Sequence, residues 1–163
     1  NMEQKQYTLN ELIEKVDNLR KADDFDLSLE QDLVIAVMNL ISIEEHLFFS
    51  FSKTNKPKYL NLLKEVREKR KKLLKQIIKE YEGEVRCTAK HMLATSMRLM
   101  EVATKQLWAW KNEMAETFFR EAYDLYCMFW WLVLDMIWPN DVSTWTSWNQ
   151  ANLIWNVIDC CKE

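Results

Sequence analysis

With one glycine and two prolines among 163 residues, this chain has almost no means of making the tight turns that a sheet protein requires. Helices are the default, and these three residues punctuate them. Pro57 and Pro139 cannot sit inside a helix, and Gly83 suits the left-handed position that closes one. Thr8 followed by Glu11 forms a capping box for a short helix near residues 9–21, and Ser28 with Gln31 opens a longer one ending near Lys53. Thr54, Asn55 and Pro57 make a turn; a third helix is expected from about Pro57 to Tyr81 and a fourth from Glu84 to Trp110. Lys111 and Asn112 separate it from a fifth, Glu113 to Trp138, and a terminal helix covers about Trp148 to Cys161. Long helices of about 25 residues with short connections predict one all-α domain over residues 1–163. Its expected architecture is an antiparallel up-and-down four-helix bundle with additional N- and C-terminal helices, five to six helices in total.

The second helix carries an anomaly. Glu44 sits inside an apolar stripe of Leu33, Val37, Leu40, Leu47 and Phe51, so helical periodicity turns its carboxylate toward the core. An unpaired buried carboxylate costs several kcal/mol or takes up a proton, so it needs an answering group. Arg70 occupies the matching place on the third helix, among Leu63, Val66, Leu73, Leu74, Ile77 and Tyr81. Folding the hairpin about Pro57 brings the two to one height. Continuing the reflection through the next turns adds Ser96 and then Tyr126, giving a predicted polar layer of Glu44, Arg70, Ser96 and Tyr126. Such a layer either fixes helix register or lines a pocket for a small anionic or amide-bearing ligand.

Charge narrows the function classes. The net charge of -3 speaks against bulk attraction to nucleic acid, although residues 53–75 are strongly basic. Only Tyr59 interleaves with those lysines, so a stacking platform for single strands is not expected there. Once Asp135 is counted against it, the apolar stretch from Leu125 to Trp138 gives about half of the roughly 20 residues a membrane span needs, and it reads as a core helix. A polar amino terminus and cysteines without zinc-finger spacing, Cys87, Cys127, Cys160 and Cys161, lead us to expect free thiols and a cytoplasmic protein without a membrane span. All eight tryptophans fall between Trp108 and Trp155, and the simplest expectation is that they fill the core and seat the terminal helix. Met128 and Trp131 lie opposite the main stripe of the fifth helix and call for cover by the terminal helix or by a second copy in a homodimer.

Two chemical motifs lie on the fourth helix. Glu84, Cys87 and His91, at i, i+3 and i+7, share one side and could hold zinc or iron if another helix completed the shell. The Glu-x-x-His pair of ferritin-like bundles is absent, since Ile43 and Thr88 stand three residues before the two histidines. His46 lies with Asn39, Ser42 and Ser50 on a polar rim. Arg86-x-x-x-x-His91 resembles the short Arg-to-His motif of the helical nucleases found in toxin and antiviral systems, over six residues, with Cys87 where those proteins usually carry a polar residue. The resemblance implies Arg86 on a phosphate and His91 acting on a ribose hydroxyl in metal-free RNA cleavage.

The reading that follows is a soluble helical bundle that binds a small ligand or a protein partner, with binding preferred to catalysis and no reaction named. A metal-binding bundle using the Glu84, Cys87 and His91 face is the alternative, and the nuclease is the remote one.

Overall fold

A computed structural model describes residues 8–21, 26–78 and 83–134, apart from the side chains of Arg20 and Glu84. Five helices make up almost all of it: α1 (Leu9–Lys21), α2 (Leu27–Thr54), α3 (Lys58–Ile77), α4 (Gly83–Trp108) and α5 (Asn112–Val133). The expected terminal helix, Trp148 to Cys161, lies outside the described residues.

Local chemistry sets the boundaries. The capping box of α1 forms as expected, with the Thr8 N–H donating to the Glu11 carboxylate at 2.7 Å and the Glu11 N–H donating to the Thr8 hydroxyl at 3.3 Å. At α2 the cap is Asp26, not Ser28: its Oδ1 accepts from the N–H groups of Ser28 and Leu29 at 3.0 and 3.3 Å. The earlier start makes Leu27 the first helical residue and buries it. Asn55 closes α2 in the left-handed region at φ 52°, which its short amide tolerates, and Pro57 opens α3.

The end of α3 departs from expectation. The helix stops at Ile77 instead of Tyr81, and Gly83 opens α4 instead of capping α3. Ile77 and Ile78 are both buried, and Ile78 turns to an extended conformation. Its carbonyl leaves the helix and accepts from Arg86 through Nε at 3.2 Å and Nη2 at 2.9 Å. A side chain from the next helix thus does the capping that glycine was expected to do.

Packing joins neighbours in the sequence: α2 lies against α3, α4 lies against α5, and a narrower contact joins α2 to α4. Val34, Val37 and Met38 of α2 share a core with Leu74 and Ile77 of α3, Leu12 and Val16 of α1, and Ala89 and Leu93 of α4. Each fully buried aliphatic or aromatic side chain contributes about 1.5 to 3 kcal/mol relative to exposure. From α5, Phe129, Trp130 and Trp131 are fully buried, with the Phe129 and Trp130 rings edge-to-face at 5.5 Å. Trp131 and Met128 therefore have cover within a single chain, Trp131 fully and Met128 in part.

Two polar ties set the direction of α4. Arg86 holds its start to the end of α3, and an Arg98–Glu45 ion pair joins its middle to α2. Both helices therefore advance toward the same end, and the turns after α2 and after α4 emerge there.

Candidate functional site

Glu44 and Arg70 meet as expected. Both are buried, and Arg70 donates from Nε to one carboxylate oxygen and from Nη2 to the other, the latter at 3.4 Å. A third donor was not foreseen: Arg67, half exposed one turn earlier on α3, gives its Nε to Glu44 Oε2 at 3.0 Å. Its i, i+3 spacing from Arg70 is the signal that could have found it. Burial pushes the Glu44 carboxyl up, but the hydrogen bonds and charges of Arg70 and Arg67 outweigh it and hold the group below the usual glutamate value.

Ser96 is also buried and lies about as far from its turn as Arg70 does, yet its hydroxyl donates to the Ala122 carbonyl of α5 at 2.7 Å instead of facing the guanidinium. It binds α4 to α5. Tyr126 is half buried, edge-on to Trp130 at 6.3 Å and tilted against Tyr123. Of the four predicted residues the structure joins Glu44 to Arg70. Ser96 serves the second hairpin, and Tyr126 stacks on its own helix.

On α4, Cys87 and His91 are both exposed, and the Glu84 side chain is outside the described residues. Among the described residues no three His, Cys, Asp or Glu side chains gather closely enough to hold a metal ion. Arg86 of the Arg-to-His motif is half buried and gives two donors to Ile78, whereas His91 faces solvent. An open cavity of about 300 Å³ lies beside Arg86, lined by Glu68, Lys71, Lys72, Leu74 and Lys75. Cations near the carbonyl end of α3 are what its dipole favours. Glu68, exposed there, is held below its usual value by the Lys71 hydrogen bond and charge, with Lys72 and Lys64 adding to it.

Cys127 is buried, and desolvation pushes its thiol up to about 12 despite a hydrogen bond with Tyr123, with the Asp124 charge adding to the rise. It is a core thiol, not a nucleophile.

The least expected surface is the end that carries the two turns. Trp108 and Trp110, expected in the core, are 81% and 89% exposed. Phe48 and Phe49 of α2, Leu60 and Leu62 of α3, Leu107 of α4 and Met114 of α5 are exposed near the same end. Trp110 also occupies the left-handed region at φ 60°. Its N–H donates to Leu107 O at 3.0 Å and the Lys111 N–H to Gln106 O at 3.0 Å, a Schellman closure in which glycine is usual. A bulky side chain there is strained. Trp110→Gly should therefore raise stability by about 1 kcal/mol in urea unfolding, while Trp110→Ala gains none of it. A loss on Trp110→Gly would show that the indole is held by packing.

Compared with known proteins, the chain matches no family model, no curated protein and no solved structure.

Proposed function

We propose that this protein is a non-catalytic binding module whose working surface is the end bearing Trp108 and Trp110. The observation that carries this reading is the exposure of both indoles on a turn that strains the backbone to present one of them. A solitary exposed apolar residue needs no explanation, but a cluster drawn from both hairpins does. Strain retained at a surface turn points the same way, because a glycine there would relieve it.

In this reading α2–α5 form an antiparallel up-and-down four-helix bundle, flanked by α1, within a single domain over residues 1–163. The Glu44 layer is its register pin. α2 is long and apolar enough to cross a membrane by length and composition, but its mid-helix Glu44 ion-paired to α3 supports a place inside the protein. Free thiols at Cys87 and Cys127 support the cytoplasm, where cysteines stay reduced.

Radical footprinting tests the reading without naming a partner. Trp108 and Trp110 should oxidise readily in the purified chain and be protected in the cells that naturally make it, while exposed Met100, farther from this end, changes little. Equal oxidation in both settings would remove the contact surface.

A further inference from the structure

Resting on that reading, we infer that the partner at the Trp108 and Trp110 end is an anionic lipid surface. Charge is the first argument. Lys53, Lys56 and Lys58 surround the first turn and Lys105 and Lys111 the second, all of them exposed. No acidic residue occurs between Glu45 and Glu65 or between Glu101 and Glu113. A chain of net charge -3 has thus cleared its acids from the two segments that meet at one end. Lys53 and Lys105 lie in the last turns of α2 and α4, but Lys56, Lys58 and Lys111 lie beyond those helix ends, so the helix dipole does not account for these three.

The mixture of side chains is the second argument. Tryptophan seats at the boundary between headgroups and hydrocarbon, and lysine reaches outward from it to phosphate. Leu60, Leu62, Leu107 and Met114 add aliphatic surface that a bilayer accepts and that a base-stacking platform has no use for. Lysine is depleted from protein–protein interfaces, which favours lipid over a protein partner. Both turns face the same way, so one flat surface can meet them together. The negative cytoplasmic leaflet attracts clustered lysines of this kind.

Vesicle flotation with the full chain tests the inference. Vesicles of equal parts phosphatidylglycerol and phosphatidylcholine should carry the protein, with binding at least about tenfold weaker to phosphatidylcholine alone or in high salt. Trp108→Ala with Trp110→Ala should also weaken binding at least about tenfold, as should Lys105→Ala with Lys111→Ala, with helix content unchanged by circular dichroism. The phosphatidylglycerol vesicles should protect Trp108 and Trp110 from radical oxidation. Equal binding to both vesicle types, or binding indifferent to the tryptophan pair, overturns the inference. So does tryptophan-dependent binding of a homopolymeric oligonucleotide without vesicle binding. Protection in cells without protection by vesicles would overturn the lipid assignment and leave the contact surface standing; no protection in cells would remove the surface itself.

Discussion

Glu44→Ala lowers the stability of the fold by about 3 to 5 kcal/mol, against about 0 to 1 kcal/mol for Glu45→Ala one position along. The difference comes from what is left behind. Removing the Glu44 carboxylate strands the Arg70 guanidinium, which is 6% exposed and gives two donors to that group. Arg67 is half exposed and can turn to water, so it adds little to the loss. Glu45 and Arg98 form a surface pair that water replaces at small cost. Glu44→Leu combined with Arg70→Met should recover most of the stability, because burying a charge pair is no better than filling the space with apolar atoms. Urea unfolding of the four variants checks this, and equal small effects of Glu44→Ala and Glu45→Ala would refute a buried pair. The sign with pH follows from the lowered carboxyl. Its contribution is complete above the unfolded value of 4.5 and is lost as pH falls through the lower folded value. Asp124, raised by burial and by Glu121, contributes with the opposite sign, so wild type and Glu44→Gln should be compared across the same acid range.

Trp130→Ala should cost about 3 to 5 kcal/mol by opening a cavity in a side chain that is fully buried. Trp130→Phe should cost less than about 2 kcal/mol. The indole N–H has no hydrogen-bond partner among the described residues, so phenylalanine loses volume but breaks no bond. It also keeps a ring to meet Phe129 and Tyr126 edge-on. Urea midpoints decide; a phenylalanine loss as large as the alanine loss would mean that the N–H is paired beyond those residues.

Helix boundaries were legible where a side chain competes locally for the backbone. The Thr8 and Glu11 box and the Asn55 to Pro57 turn stand where the sequence placed them. The Glu44 and Arg70 pair was legible because a charge inside an apolar stripe demands an opposite one at the same height. What escaped depends on distant contacts. The end of α3 is decided by Arg86 of another helix and by the burial of Ile78, neither of which shows in local propensity. Ser96 was correctly read as facing inward, but an inward hydroxyl can meet a carbonyl as well as a guanidinium. Trp108 and Trp110 were misjudged for a general reason: tryptophan is enriched both in cores and at contact surfaces, and composition does not separate the two.

The pairing of helices with their neighbours in the chain carries a kinetic consequence. Each hairpin closes a short loop before meeting anything remote, so its two halves collide soon after each turn forms. Fast, largely local folding follows, with the seam between α2 and α4 as the late event. That seam is narrower than the contact inside each hairpin, and protection from amide exchange within either hairpin should outlast the union of the two.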